Sequence, residues 1–368
     1  MEKAREILSG AKRIVIKTGS ALLTDEHGRL NKAWLDALAA DIAALMAEGK
    51  EVILVASGAV ALGRVVMELK TPLKLEQKQA AAALGQTALM QGFCDSFARQ
   101  ELHTAQLLLT LDVTENRRSY LNARATMEAL LAQNVIPVIN ENDTIATAEL
   151  RYGDNDRLSA HVAQMAGAHL LILLSDVDGL YSADPRRNAD ATHISLVEKI
   201  TPDIMRLGGK SSSPTGSGGM ATKLEAARIA NAAGCATIIT KGTHANPIAN
   251  LQNDNRFTLF LPQGSPASAR RQWIAHRLKP SGTLMVDEGA AKALQANKSL
   301  LAAGIIQCQG NFLKGDAVQV VNSDGRGIAQ GLVNLDRKIL EDHIGKSARN
   351  TDFNGIAIHK NNLVRLGE

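Results

Sequence analysis

The sequence predicts an α/β protein: a mainly parallel open sheet with helices on both faces, followed by a small, mostly β C-terminal module. Three observations carry this reading. The first 260 or so residues alternate short β-branched runs with longer alanine- and leucine-rich stretches, the pattern of strands joined by crossover helices. Several of the short runs are apolar at nearly every position, as strands covered on both faces must be. After Leu261 the composition changes to brief alternating runs punctuated by glycine.

Taken in order, the strand candidates are 13–17, 51–57, 105–110, 135–140, 170–175 and 236–240. Helical patterns fall between them at about 31–48, 76–100, 121–133, 156–167 and 221–234, the last closed by Gly234 as a C-cap. Residues 262–280 carry Pro262, Gly264, Pro266 and Pro280, the marks of a connector. The expected organisation is a domain over 1–261, a linker over 262–280 and a mostly β domain over 281–368.

Composition narrows the function classes. The chain has 368 residues, 45% hydrophobic and 21% charged, which excludes disorder and collagen-like repeats. No apolar run approaches the roughly 18 residues of a membrane span, and the N-terminus lacks the pattern of an export signal. The net charge of +4 is too small to demand a polyanionic partner, and aromatics at 3% argue against base stacking. Cys94, Cys235 and Cys308 form neither a disulfide framework nor a metal spacing, so a cytoplasmic setting is expected. The nine histidines stand apart from one another, and no metal site is expected from them. Arg117-Arg118 and Arg186-Arg187 read as solvated loop charges.

In a doubly wound sheet, ligands collect beyond the carboxyl ends of the strands. Here those ends carry Lys17-Thr18-Gly19-Ser20, Ser57-Gly58-Ala59, Asn140-Glu141-Asn142-Asp143 and Ser175-Asp176. Four such turns on one edge suggest a cleft lined by a lysine, small donors and carboxylates.

Two further clusters precede helices. Gly216-Ser217-Gly218-Gly219-Met220-Ala221-Thr222-Lys223 runs into the pattern at 221–234, where glycines admit a ligand to the backbone and free amides attract phosphate. Lys223 would oppose the helix dipole there, which makes sense if an anion is bound. The spacing is neither a Walker A loop nor GxGxxG, and a plain flexible loop is the alternative. A lysine at a loop-to-helix junction is also expected to contribute little to the core. Gly153-Asp154-Asn155-Asp156 reads as an N-cap or as a site, since two carboxylates beside an asparagine exceed what a cap requires.

KTGS at 17–20, SGAVALGR at 57–64, LNAR at 121–124, VIPVINENDTIAT at 135–147, GDND at 153–156 and SGGMATK at 217–223 together resemble the bacterial glutamate 5-kinase family, within the amino acid kinase superfamily. VDEGAAKAL at 286–294 and GNFLKGDAVQV at 310–320 resemble a PUA domain, so the likeness covers nearly the whole chain. It implies the amino acid kinase fold for the first domain. It also implies transfer of the γ-phosphoryl of ATP to the side-chain carboxylate of L-glutamate, giving γ-glutamyl phosphate, the first step of proline biosynthesis. By the same resemblance Lys17, Lys223 and Asp156 are the catalytic set, Asp156 holding both lysines. Ser57, Asp143 and Asn155 bind glutamate. Lys17, Ser175, Asp176, Ser217, Gly218, Gly219, Met220, Ala221, Thr222 and Lys223 bind the nucleotide. Mg²⁺ is expected with ATP, without a nameable protein ligand. Proline as feedback inhibitor, a homo-oligomer and a partnership with γ-glutamyl phosphate reductase are implied too. Ser217 stands where the family often has Thr, and Thr18 where an aliphatic residue is common.

The chemistry suits these residues. A carboxylate nucleophile is already ionised near pH 7, so no general base is required; what phosphoryl transfer needs is alignment and cancellation of negative charge. Two alternatives remain: a relative with aspartate or N-acetylglutamate as acceptor, and an RNA-binding protein acting through the tail. Ten basic against nine acidic residues over 281–368, with Phe312 and Phe353 its only aromatics, are a poor footprint for RNA.

Overall fold

The computed structural model describes residues 2–110, 117–145, 155–209, 219–252, 256–268, 280–344 and 355–366. The chain divides into two compact units, Met1–Pro266 and Ala267–Glu368.

The first unit runs α1 (Glu2–Gly10), β1 (Arg13–Thr18), α2 (Ser20–Leu23), α3 (Lys32–Ala47), β2 (Glu51–Ala56), α4 (Ala59–Val66), α5 (Leu75–Ala98), β3 (His103–Leu109), α6 (Arg117–Ala132), β4 (Val135–Glu141), α7 (Asn155–Ala166) and β5 (Leu170–Ser175). It continues with β6 (Leu180–Tyr181), β7 (His193–Ile194), β8 (Leu196–Val197), α8 (Pro202–Arg206), α9 (Met220–Ala232), β9 (Ala236–Lys241), α10 (Ala249–Gln252) and β10 (Phe257–Phe260). Eight strands form one sheet in the order β3-β4-β2-β1-β5-β9-β10-β8. The six from β3 to β9 are all parallel.

Strand alternation divides the core. Ile14, Ile16, Val52, Leu54, Leu170 and Ile172 face one way and pack with α3 and α5 side chains such as Leu35, Leu38, Leu89 and Phe93. Val15, Ile53, Val55, Leu171 and Leu173 face the other way, toward Leu158, Val162, Leu224 and Ala227 of α7 and α9. Both faces are therefore sealed, and strands β1, β2 and β5 are buried almost throughout.

Besides α1, α2, α8, α10 and the short strands β6 to β8, which the sequence pattern does not mark, two elements depart from it. β10 pairs antiparallel with β9 and parallel with the edge strand β8, and is too short to stand out from the connector after it. The segment after Ser57 folds into α4, nested on α5 at two glycines. A Cβ on Gly85 would come within 1.8 Å of the Ala59 carbonyl oxygen, and one on Gly63 within 1.8 Å of the Ala81 carbonyl oxygen. Only glycine permits this backbone approach. Arg117 and Arg118, read as loop charges, open α6. Among the buried cations, Lys50 is structural: its Nζ donates to the carbonyls of Leu8, Ser9 and Ala11 at the end of α1.

The second unit comprises β11 (Gly282–Val286), α11 (Glu288–Gln295), β12 (Leu300–Leu301), β13 (Ile305–Gly310), β14 (Ala317–Val321), β15 (Gly327–Leu332), α12 (Arg337–Glu341), β16 (Ile356–Ile358) and β17 (Leu363–Arg365). Its five-stranded sheet has the order β13-β11-β14-β15-β17, with β12 and β16 as a separate pair. It carries its own core, including Leu284, Val286, Phe312, Val318, Val320 and Leu340. Among the described residues, no helix is long and apolar enough to cross a membrane.

Candidate active site

Lys17 lies at the carboxyl end of β1. It follows Val15 by two residues, so strand alternation sends it to the face covered by α7 and α9. Those helices begin at the same edge of the sheet and bring Asp156, in the first turn of α7, and Lys223, in the first turn of α9, to meet it. Lys17 Nζ is 2.7 Å from Asp156 Oδ1, and Lys223 Nζ is 3.3 Å from Asp156 Oδ2. The Thr222 hydroxyl lies 2.7 Å from the same Oδ2 and accepts the Gly219 N–H.

All three charges are buried: Lys17 is 7% exposed, Lys223 5% and Asp156 1%. Burial alone would raise the Asp156 pKa. The charges of Lys17 and then Lys223, with hydrogen bonds from Lys17 and Thr222, override it and hold the carboxyl well below the usual carboxylate range. The cluster is thus one anion between two cations, carrying a net positive charge at the mouth of two helix N-termini. This corrects the expectation that Lys223 contributes little to the core: it is buried and ion-paired.

Beside this trio lies a chain of amides. Asn155, the first residue of α7, is 3% exposed. Its Nδ2 reaches across to the sheet, 2.8 Å from the Ala56 carbonyl oxygen, 2.9 Å from Ser57 Oγ and 2.9 Å from Asn140 Oδ1. Two N–H groups serve three acceptors, so one is shared. Asn155 Oδ1 is buried and has no partner among the described residues. Such an acceptor is costly unless something donates to it. Ser57 stands just before Gly58, whose φ of 105° turns the chain from β2 into α4.

Asp143, two residues beyond the end of β4, lines a pocket of about 250 Å³ with Gln86, Thr87, Gln106, Glu141 and Thr144. No cation among the described residues pairs with it, and burial pushes its carboxyl up to about 6. It is an anion waiting for a positive charge.

On the other side of the trio, Ser175 ends β5 and donates to Asp176 Oδ1 at 2.9 Å; Ser175 is buried and Asp176 exposed. Gly219 is the N-cap of α9, and Met220, Ala221 and Thr222 form its first turn, where unpaired amides favour an anion. Ser217 and Gly218 lie outside the described residues, as do Gly153 and Asp154. Thr18 points to the opposite face, and its buried hydroxyl has no partner among the described residues. No group of three or more His, Cys, Asp or Glu among the described residues could hold a metal, and both oxygens of Asp156 are already engaged.

Sequence reasoning misses two members of the amide chain. Asn140 stands out only as part of a polar strand end, and Gln86 sits within an alanine-rich helix that reads as packing. Their signal is a buried polar residue on an otherwise apolar face: Asn140 is 3% exposed and Gln86 8%.

Comparison with known proteins gives the family. Residues 12–241 match the amino acid kinase family, and residues 282–353 match the PUA domain. A glutamate 5-kinase of Brucella anthropi is 52% identical over 97% of this chain and 96% of its own. Glutamate 5-kinases of Paramagnetospirillum magneticum, 50% identical over 98% and 99%, and of Agrobacterium fabrum, 49% identical over 100% and 96%, are similar throughout. The chain belongs to the glutamate 5-kinases of the amino acid kinase family, with a PUA domain at its C-terminal end.

Proposed function

We propose that the protein transfers the γ-phosphoryl of ATP to the side-chain carboxylate of L-glutamate, opening proline biosynthesis. The observation that carries this reading is the buried Lys17–Asp156–Lys223 trio at an anion-ready helix end, together with the half-buried carboxylate of Asp143, which has no cation partner among the described residues. Near-full-length similarity to glutamate 5-kinases supports glutamate over aspartate or N-acetylglutamate as acceptor.

In this mechanism the glutamate γ-carboxylate, already ionised, attacks the γ-phosphorus. A carboxylate O–P bond forms as the bond to the bridging oxygen breaks, and ADP leaves with the electron pair. No proton moves, which suits a trio without a general base. Lys17 and Lys223 neutralise the oxygens of the travelling group, while Asp156 fixes their separation and prevents them from repelling each other apart. Asp143 pairs with the α-ammonium, and Ser57 and Asn155 supply polar contacts, Asn155 Oδ1 accepting from the ligand. Ser175, Asp176 and the start of α9 from Gly219 to Lys223 take the nucleotide, with Ser217 and Gly218 completing the loop. Among the described residues no group fits a protein-held metal, and Mg²⁺ enters this reading as part of the MgATP substrate.

The same reading extends to a cytoplasmic enzyme that oligomerises, is inhibited by proline and hands its labile acyl phosphate to γ-glutamyl phosphate reductase. Sedimentation, proline titration and a rate comparison of coupled against separated enzymes test these in turn; a monomer, no inhibition or no rate advantage removes the corresponding element.

Purified protein with MgATP and hydroxylamine, offered glutamate, aspartate or N-acetylglutamate, tests the reaction itself. Hydroxamate and ADP should appear with glutamate. Hydroxamate formed only with another acceptor contradicts the assignment.

A further inference from the structure

The polarity of the amide chain is fixed by two backbone groups. The Glu141 N–H, which can only donate, points 2.8 Å to Asn140 Oδ1. The Ala56 carbonyl oxygen, which can only accept, lies 2.8 Å from Asn155 Nδ2. With Asn140 Oδ1 so assigned, Asn140 Nδ2 must face the other way, and it donates to Gln86 Oε1 at 2.8 Å. Gln86 therefore has no freedom to flip: its carbonyl oxygen is used, and its Nε2 is the group left over.

That nitrogen has no partner among the described residues, and the Gln86 side chain lines the same 250 Å³ pocket as Asp143. The lining includes neither Lys17 nor Lys223. The pocket thus carries two carboxylates, Asp143 and Glu141, and beside them the pinned neutral donor of Gln86, away from the reacting lysines. An α-amino acid head group presents the complement, an ammonium and a carboxylate on one carbon.

We propose that Gln86 is a specificity-determining residue of the acceptor site, its Nε2 donating to the α-carboxylate of the amino acid whose ammonium pairs with Asp143. The assignment rests on the glutamate kinase reading and deepens it. Gly85, the preceding residue, is locked against Ala59 and Gly63 of α4, which holds this turn of α5 at fixed distance from Ser57. Gln86 thereby reads the head group from a rigid element, and the amide chain links it to Asn155 beside the phosphoryl-transfer trio.

The test compares L-glutamate with its α-carboxamide analogue, which keeps the ammonium and the reacting γ-carboxylate but replaces the α-carboxylate. Wild type and Gln86→Glu are assayed at pH 8 by ADP release. One oxygen of the introduced carboxylate can still accept from Asn140, while the other repels the α-carboxylate of the substrate. The ratio of kcat/KM for glutamate to that for the carboxamide should fall at least tenfold in the variant, with KM for ATP within twofold of wild type. An unchanged ratio in Gln86→Glu, or equal loss with both acceptors, overturns the assignment while leaving the kinase reading standing. Should Gln86→Glu fail to fold, Gln86→Met, uncharged and of similar length, carries the same ratio test. A wild type inactive with glutamate sinks the kinase reading and this assignment together.

Discussion

Lys17 and Lys223 come from opposite ends of the kinase unit and bind opposite oxygens of one carboxylate, Asp156, at 2.7 and 3.3 Å. The carboxylate lets two buried cations share a small volume, and it is itself kept ionised by them. Neither lysine can be removed without altering the balance of buried charge.

Lys223→Ala should cut kcat by about 10² to 10³, the typical cost of losing one preorganised charge at a transition state. Because Lys223 is 5% exposed and paired, the variant should also melt several degrees lower. Steady-state kinetics with a thermal melt check both; unchanged turnover removes Lys223 from the mechanism.

Asp156→Asn keeps the shape and deletes the charge that two lysines face. Activity should be lost, and the melting temperature should fall by a similar amount from pH 8 down to about 5, the deficit shrinking only as pH drops below about 4. The sign follows from the depressed pKa: the contribution of Asp156 is present above the usual carboxylate range and is lost as pH falls through its lowered native value. Thermal melts from pH 2 to 8 read this directly, and a deficit that shrinks already between pH 8 and about 5 would refute it.

Asp143 titrates in the opposite sense. Its pKa is raised to about 6 by burial, so the native state holds a proton that the unfolded chain releases near pH 4. Its ionisation lowers stability as pH rises between about 4 and about 6, and the same ionisation creates the partner for an ammonium. KM for glutamate should therefore fall as pH rises through about 6, while KM for ATP stays flat across that limb. Asp143→Asn should raise the glutamate KM and abolish the limb; persistence of the limb in the variant would place the titrating group elsewhere.

Thr18→Val removes a buried hydroxyl without a partner among the described residues and keeps the β-branched shape. Stability should rise by about 1 kcal/mol in urea denaturation, with kinetics unchanged. Gly85→Ala has the reverse character. Its methyl group would meet the Ala59 carbonyl at 1.8 Å, so stability should fall by about 1–3 kcal/mol or more, and α4 with Ser57 should be displaced. A wild-type denaturation midpoint for Gly85→Ala would contradict the close helix contact.

The parallel sheet was legible because its strands are apolar on both faces, a pattern hard to mistake in 170–175 or 51–56. Lys17, Ser57, Asp143 and Ser175 were legible because the carboxyl edge of such a sheet collects polar turns. The meeting of Lys17, Asp156 and Lys223 follows from strand parity and helix starts, yet without the family resemblance the sequence alone could not say which lysine faces which carboxylate. Gln86 and Asn140 were missed for a different reason. Their importance lies in hydrogen bonds between α5, β4 and α7, and long-range pairing of amides leaves no local pattern. α4 was hidden because it is only eight residues long and carries Gly63 in its interior, which weakens the helical signal.

The most direct test is a double-mutant cycle on kcat with Lys17→Ala, Lys223→Ala and the double variant, using MgATP and glutamate. If both lysines act on one phosphoryl group through one carboxylate, each single variant loses most of the activity and the double loses far less than the product of the two. Independent multiplicative losses, or full activity in either single variant, would mean that the two lysines do not serve a common transfer centre.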